Sequence, residues 1–401
     1  MAGNKFFMGR FQDAVSGETA GARTSNWRRW DRPPHARSAL EEAAAGQSRQ
    51  RAPVLWQNSK VNNSEYLKGF DYPNSTGVGV PVKNMVYDPS TNRTLVSEFV
   101  LLGFTSHPTL AHLLFGLFLV MYAVTLAGNG LIMAVVWADP VLHCPMYIFL
   151  GSLSCSETLY TLVVIPRMLC DLMAPHRPLS LALCATQMFF FVALGVTDCL
   201  LLTAMAWDRY VAICLPLRYG TLMSHQICWG LIMGSVCGGF VFSSCLTGMI
   251  FSLPFCEPNH IPHFFCDIPP VLSRICPGYG TIEVTVPALV AVILIIPFSF
   301  IMLSYAYILV VSLRRGSTQR CCKAFSTCGA HLTVVILHYG CAIITYAKPK
   351  SSYMEGKDHI LAVSYTILIP MLNPLIYTLR NSEVKGALQK VVSRGLFLHD
   401  G

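Results

Sequence analysis

Two acidic residues stand inside long apolar stretches of the sequence, where an ionisable side chain is costly. Glu157 lies within SLSCSETLYTLVVI and Asp198 within FVALGVTDCLLLTAM. A carboxylate within a membrane span costs about 3 kcal/mol even on the gentler scales. Two facing carboxylates repel, so one is protonated unless a cation lies between them. The pair therefore predicts either a sodium or proton site or a protonated, hydrogen-bonded structural pair, and the charges alone favour neither.

Two polar motifs interrupt or end other apolar stretches. Asp208-Arg209-Tyr210 closes one stretch, and Arg209 can pair with Asp208 or reach inward, which makes it a candidate two-state element. Asn373-Pro374 interrupts another, because proline removes a backbone donor and crowds the preceding turn. Membrane helices tolerate such breaks, so neither motif is diagnostic by itself.

The sequence shows no arrangement typical of an enzyme or a histidine metal site. It contains no evident nucleophile–base constellation and no Gly-rich phosphate loop. His331 and His338 are seven residues apart (338 − 331 = 7), or two turns on a helix, which is too far to share an ion readily. We therefore expect no enzymatic activity and no metal site other than a possible sodium ion at Glu157 and Asp198.

The composition places the chain in a membrane. Of its 401 residues 53% are hydrophobic and 12% charged, against about 25% charged in soluble domains. Spanning a bilayer takes about 20 apolar residues in a helix, and continuous rather than alternating apolar runs favour helices over a barrel. We predict an all-α membrane protein, a seven-transmembrane helix bundle with a short amphipathic C-terminal helix. The predicted spans are 110–137, 145–169, 183–208, 227–252, 284–313, 330–347 and 359–379, the sixth helix reaching back to Lys323.

The first 88 residues differ from the rest. They are polar, net basic and free of cysteine, and such a segment cannot bury enough apolar area to fold. We predict a disordered extracellular extension over 1–88, a receptor domain over 89–395 and a short cytoplasmic tail over 396–401. Although the formal net charge is +8, its placement in membrane loops matters more than its sign, and we expect no nucleic-acid partner.

Basic loop residues set the expected orientation. The segment between the fifth and sixth spans holds Arg314, Arg315, Arg320 and Lys323 without an acid. Basic residues also follow the third and seventh spans, so these loops and the C-terminus are expected in the cytoplasm. The N-terminus is then outside, where Asn92 is the best-placed glycosylation sequon. Four cysteines also fall outside, and they predict two disulfides with three possible pairings: Cys184, Cys256, Cys266 and Cys276.

Together these motifs resemble the rhodopsin-like G protein-coupled receptors, and specifically the tetrapod-type (class II) olfactory receptors. The general motifs are Gly128-Asn129, the acid in the second span, Asp208-Arg209-Tyr210 and Asn373-Pro374-Leu375-Ile376-Tyr377. The specific ones are PMY at 145–147, MAWDRYVAIC at 205–214, HFFCDIP at 263–269, KAFSTCGAHL at 323–332 and PMLNPLIYTLRN at 370–381. The resemblance covers about residues 88–395.

The resemblance implies roles for particular residues. It pairs Cys184 with Cys266 and Cys256 with Cys276, and it places Glu157 and Asp198 at the family's intramembrane cation site. It also implies a set of activation-switch and G-protein-coupling residues: Asp208, Arg209, Tyr210, Tyr305, Tyr339, Asn373, Pro374 and Tyr377.

We expect the ligand pocket in the outer half of the bundle, between the third, fifth, sixth and seventh helices. Helical spacing suggests a mostly apolar lining with a few hydroxyl groups and no charge, in which a cationic amine lacks a counter-ion. For each apolar member plain helix packing is an equal alternative. The predicted ligand-binding residues are Phe191, Val192, Gly195, Val196, Leu289, Ile293, Ala342, Tyr346 and Thr366.

The resemblance implies a plasma-membrane odorant receptor that binds small volatile molecules among membrane lipids and activates a heterotrimeric stimulatory G protein, raising cyclic AMP. One alternative is a chemosensory receptor of the same fold outside olfaction. Another is an ion-coupled transporter that uses Glu157 and Asp198 as a pathway; the inverted repeats common in transporters are not evident.

Overall fold

A computed structural model describes residues 85–88, 93–104, 110–175, 177–314, 318–346, 357–380, 384–387 and 389. Within these ranges seven helices are long and apolar enough to cross a membrane, so the chain is a multi-pass membrane protein. They are α1 (Ala111–Ala138), α2 (Pro145–Met173), α3 (Leu181–Cys214), α4 (His225–Phe251), α5 (Gly280–Arg314), α6 (Thr318–Tyr346) and α7 (residues 357–380).

The predicted seven-helix bundle is confirmed. Continuous apolar runs make helices because a spanning segment must satisfy its backbone hydrogen bonds internally. Serine caps start two of the helices: Ser180 accepts a hydrogen bond from the Leu183 amide in α3, and Ser224 accepts one from the Ile227 amide in α4. The sixth helix begins at Thr318, slightly before the predicted Lys323. Of the predicted C-terminal helix, residues 384–387 and 389 are helical.

The seventh helix is irregular in its first half. It consists of an α-helical segment Lys357–Val363, a π-helical turn Ser364–Leu368 and a second α-helical segment Ile369–Arg380 that contains Pro374. A π turn shifts the side chains that follow it around the helix axis. The side chains before and after the turn therefore point in directions, relative to one another, that a regular α-helix would not give.

Helix α3 occupies the centre of the bundle and is the most buried of the seven spans. It packs closely against α4 at Gly239, where a Cβ would lie 2.4 Å from the Ala193 carbonyl oxygen and 2.5 Å from Thr197 Oγ1. Only glycine fits this contact, so α3 is held firmly along this side.

A small sheet lies at the end of the bundle where α3 begins, here called the disulfide end. Strand β3 (Glu98–Leu101) pairs antiparallel with β4 (Pro178–Ser180) and parallel with β5 (His260–Ile261). A separate hairpin joins β1 (Met85–Asp88) to β2 (Arg93–Val96). The last residues of the predicted disordered extension thus form a strand, and no strand in this region was expected from the sequence. Residues 1–84 and 390–401, with the extension's other predicted features, lie outside the described residues.

Candidate functional site

The loop between α4 and α5 is tied down over the disulfide end of the bundle. Cys184, in the first turn of α3, is bonded to Cys266 in this loop, with their Cα atoms 5.5 Å apart. Cys256 is bonded to Cys276 within the same loop, at a Cα separation of 4.9 Å. These are the pairings that the resemblance implies, and they hold the loop over the disulfide end of the bundle.

Gln187, one turn beyond Cys184, fastens the loop further. Its side-chain oxygen accepts a hydrogen bond from the Cys266 amide at 3.0 Å, and its side-chain nitrogen donates to the Val163 carbonyl of α2 at 3.1 Å. Val163 lies in the turn of α2 that precedes Pro166. A single amide therefore joins the loop, α3 and α2, a role that sequence analysis missed.

Beneath the loop, aromatic rings from four elements form a buried cluster. Phe191 of α3 lies 4.8 Å from Phe265 of the loop, 5.0 Å from Tyr160 of α2 and 6.2 Å from Tyr365 of α7, measured between ring centroids. All four side chains are at most 9% exposed. Of these, only Phe191 was predicted as a pocket residue; the π turn of α7 contains Tyr365.

A carboxylate sits beside this cluster. Asp267 is 1% exposed, and its Oδ1 accepts hydrogen bonds from the Tyr346 hydroxyl at 2.9 Å and the Ile268 amide at 2.7 Å. Its Oδ2 accepts from the Tyr365 hydroxyl at 2.7 Å. Burial raises the pKa of the Asp267 carboxyl, and the hydrogen bonds act in the opposite direction. The charge-free lining expected from the sequence thus omitted a carboxylate that touches the predicted ligand residue Tyr346.

The other predicted pocket residues lie on the expected helices with differing exposure. Val192, Val196 and Thr366 are buried, and the Thr366 hydroxyl donates to the Ala362 carbonyl at 2.6 Å. The remaining four are half-buried: Gly195, Leu289, Ile293 and Ala342. On α5 the buried stripe runs through Val286, Val290 and Leu294, so the two predicted α5 residues flank it.

Polar groups meet midway along the bundle. The Asn373 amide donates to Glu157 Oε1, joining α7 to α2, and the Asn129 amide donates to the Pro370 carbonyl at 3.0 Å, joining α7 to α1. Glu157 and Asp198 are each 3% exposed. The buried oxygens that have no hydrogen-bond partner among the described residues include three of this group: Asn129 Oδ1, Asp198 Oδ1 and Asn373 Oδ1. Buried oxygens of this kind suit a hard cation, which takes oxygen ligands.

Near this polar region, Tyr339 of α6 is fully buried. Its hydroxyl donates to the Cys199 carbonyl of α3 at 2.9 Å, and its ring lies 5.4 Å from that of Phe298 of α5. The neighbouring His338 ring nitrogen lies 3.5 Å from Cys199 Sγ. The predicted switch residue therefore contacts both α3 and α5.

Toward the other end of the bundle, called here the Arg209 end, His331 links three helices. Its Nε2 lies 3.1 Å from the Leu202 carbonyl of α3, and its Nδ1 lies 2.7 Å from the Tyr305 hydroxyl of α5. A carbonyl only accepts, so in a neutral ring Nε2 donates and Nδ1 accepts from Tyr305. Both ring nitrogens are therefore engaged within the protein, and Tyr305 is joined to α6 as well as α3.

The Asp208–Arg209 pair lies at this end. Arg209 Nε is 3.8 Å from Asp208 Oδ2, and it donates to Met146 Sδ of α2 at 3.3 Å. Asp208 Oδ1 accepts a hydrogen bond from the Tyr219 hydroxyl at 2.8 Å. Burial and the nearby carboxylate raise the pKa of Tyr219, which lies outside the spans. Of the two arrangements open to Arg209, the structure shows the one paired with Asp208.

The remaining predicted switch residues lie on α3 and α7. Tyr377 of α7 is 2% exposed, and its hydroxyl has no hydrogen-bond partner among the described residues. The Tyr210 ring stacks on Trp207 at 5.5 Å. Pro374 packs against Gly128 of α1, where a Cβ would lie 3.2 Å from the proline ring. Asn92, the predicted glycosylation site, lies outside the described residues.

Comparison with known proteins accords with this arrangement. The family model described as "Olfactory receptor" matches residues 118–395. The chain is 47% identical to human olfactory receptor 10J1 over 301 residues, which is 75% of this chain and 94% of that protein. It is 49% identical to mouse olfactory receptor 10J5 over 303 residues, or 76% of this chain and 98% of that protein.

Proposed function

The chain belongs to the olfactory receptor family, and we propose that it binds small, mostly apolar volatile molecules near the disulfide end and activates a stimulatory G protein that raises cyclic AMP. The family is one of receptors, so we infer no enzymatic role. We further propose that the protein lies in the plasma membrane with its disulfide end and N-terminus outside. Its Arg209 end and C-terminus then face the cytoplasm, in agreement with the basic loops at that end.

One observation carries this proposal: α6 is tied to other elements at both the ligand end and the Arg209 end. Tyr346 binds Asp267 of the loop, and fifteen residues away His331 binds Tyr305 and the α3 backbone. That separation is about 22 Å at 1.5 Å per residue. A rigid helix held at both ends can transmit a displacement from the ligand to the opposite face.

The ligand site proposed is the region around the aromatic cluster and the predicted pocket residues. Its apolar rings favour hydrocarbon bodies, since their burial contributes about 25 cal/mol per Å². The Tyr346 hydroxyl, which touches the Asp267 carboxylate, supplies a polar group. A ligand shifts the conformational equilibrium only if it binds one state more tightly than the other, so activation requires this region to contract or rearrange.

Coupling to the G protein would proceed by release of the Arg209 end. In the arrangement described, Asp208 holds Arg209, and His331 holds Tyr305 and Leu202. Moving α6 away from α3 would break the His331–Leu202 bond and expose the end of α3. We propose that Arg209, Tyr305 and Tyr377 then rearrange to contact the G protein.

We also propose that a sodium ion can bind midway along the bundle. Glu157, Asp198, Asn129 and Asn373 would hold it, because they supply buried oxygens that include three without a partner among the described residues. Its positive charge would stabilise two carboxylates buried within the membrane. Independently of an ion, the Asn129 and Asn373 amides join α1 and α2 to α7.

A cyclic AMP reporter assay tests the main proposal. Cells expressing the chain are exposed to a panel of volatile molecules, with surface expression measured by an N-terminal tag. The expected result is a concentration-dependent response to some panel members that Arg209→Ala abolishes and the exposed-site control Arg218→Ala preserves. A ligand response that survives Arg209→Ala at normal surface expression, or ion flux that Glu157→Gln removes, would contradict the receptor mechanism.

A further inference from the structure

Asp267 is a buried carboxylate surrounded by neutral donors. Two phenolic hydroxyls and one backbone amide bind it, at 2.7 to 2.9 Å. Within the described ranges, the ion pairs are Arg167–Asp171 and Asp208–Arg209, so no described side chain forms an ion pair with Asp267. A buried charge without an opposite charge is unfavourable, and a cation that reaches it gains correspondingly.

The carboxylate also retains capacity to accept a hydrogen bond. An ionised carboxylate offers about four lone-pair directions, and three donors are present here. The Asp267 backbone stays in place because its neighbour Cys266 is held by the Cys184 disulfide and by Gln187. The charge is thus preorganised, which reduces the cost of binding a partner.

Its position suits a ligand that has a polar head and an apolar body. The carboxylate binds Tyr346, a predicted ligand contact, and Tyr365, whose ring lies 6.2 Å from Phe191. Phe265, two residues before Asp267, contacts Phe191 directly. A head group bound at Asp267 would therefore place a short hydrocarbon body among these rings.

We propose that the preferred ligands of this receptor are small apolar molecules that carry a protonated amine, with the ammonium group bound by the Asp267 carboxylate. This inference rests on the proposed receptor function and identifies its ligand class. An ammonium group brings a positive charge and up to three donors, and it can take the place of the Tyr346 hydroxyl on Oδ1. A neutral alcohol can only exchange one neutral donor for another, so it gains less.

The test compares near-isosteric ligands on the unmodified receptor: cyclohexylamine, cyclohexanol and methylcyclohexane at pH 7.4, where an alkylamine is protonated because its pKa is close to the value of about 10.4 for lysine. Cyclic AMP is the readout. The proposal expects the amine to act at a concentration about 10-fold or more below that of the alcohol, as for a charge-assisted hydrogen bond. Equal potencies, or a response to the alcohol alone, would overturn it.

The second arm removes the charge. Asp267→Asn keeps the shape and should weaken the amine response by about 10- to 100-fold, while the cyclohexanol response changes by less than about threefold. Glu257→Gln is the matched control, because Glu257 is an exposed acid in the same loop. Equal loss for amine and alcohol would refute the ion pair. If Asp267→Asn does not reach the surface, the isostere comparison on the unmodified receptor decides.

The two proposals fail in different ways. A receptor that responds to the alcohol and to other neutral volatiles but not to amines contradicts only the amine inference. No response to any volatile, with normal surface expression and a normal forskolin response, contradicts the proposed function and the inference together.

Discussion

Gln187 offers the sharpest test of how the ligand-side loop is held. We predict that Gln187→Ala destabilises the receptor, because it removes the bonds from the Cys266 amide (3.0 Å) and to the Val163 carbonyl (3.1 Å). Each bond contributes about 0.5–1.5 kcal/mol net, and Gln187 is only half-buried. We therefore expect a total loss of about 1–3 kcal/mol.

The measurement is thermal unfolding of the purified receptor in detergent. Unfolding is monitored with a thiol-reactive dye that labels buried cysteines as they become exposed. At about 2 °C per kcal/mol for a chain of this size, the midpoint should fall by about 2–6 °C. Gln187→Met keeps the length of the side chain but loses both bonds, so it separates hydrogen bonding from packing. Its midpoint should fall nearly as far.

The matched control is Gln226→Ala, because Gln226 is exposed in the first turn of α4. The reasoning is refuted if Gln187→Ala unfolds within 1 °C of this control, or if Gln187→Met fully restores the wild-type midpoint. The second result would show that Gln187 acts by filling space. Ligand potency is a further readout, since a loosened loop should weaken responses to all ligands alike.

Three further predictions concern other parts of the structure. Gly239→Ala should sharply reduce surface expression, measured by flow cytometry, because its Cβ would lie 2.4 Å from a backbone oxygen of α3; Gly234→Ala, with open space around it, should not. Acidification from pH 7 to 5 should destabilise the receptor by up to about 2 kcal/mol, as measured by thermal unfolding. Burial lowers the pKa of His263 to about 3, so near pH 5 this histidine is protonated in the unfolded chain but not in the folded one. His263→Gln should lessen this acid sensitivity, and the exposed-residue control His260→Gln should not. Deleting residues 2–84 should preserve surface expression and response, whereas a longer deletion that removes β3 should abolish expression, since β3 pairs with both β4 and β5.

Each of these has a clear contrary outcome. Equal expression of the two glycine variants would mean that α4 shifts freely against α3. The same acid sensitivity in both histidine variants would assign it to another group. A collapse after the shorter deletion would show that the extension itself is needed, and normal expression after the longer one would show that the small sheet is dispensable.

The sequence predicted the seven helices well because that signal is local. A bilayer requires about 20 apolar residues per span, and each span can be recognised without knowing its neighbours. Glu157 and Asp198 were recognisable for the same reason, as charges within apolar runs. The residues around Asn373-Pro374 were noticed because proline interrupts a helix wherever it occurs.

The small sheet at the disulfide end could not be predicted in this way. Its strands β3, β4 and β5 have two to four residues each and come from three separate parts of the chain. Runs so short carry no periodic pattern. They exist because the loops at this end of the bundle offer backbone donors and acceptors to one another.

Asp267 shows most clearly where sequence reasoning ended. Its charge was visible in the loop, and the neighbouring Cys266 was expected to be bonded to α3, but nothing local indicated burial. The partners Tyr346 and Tyr365 lie 79 and 98 residues further along the chain, and the π turn contains Tyr365.

By itself, the sequence determined the membrane location, the number of spans, the family motifs and the residues that are costly to bury, because each depends on neighbours along the chain. The tertiary structure decided which side chains meet: Tyr346 with Asp267, Asn373 with Glu157, and His331 with Tyr305. Such contacts depend on helix rotation, on one π turn and on a disulfide-tethered loop. These features bring side chains from distant parts of the chain within hydrogen-bond distance of one another. No local pattern of residue types specifies such a contact.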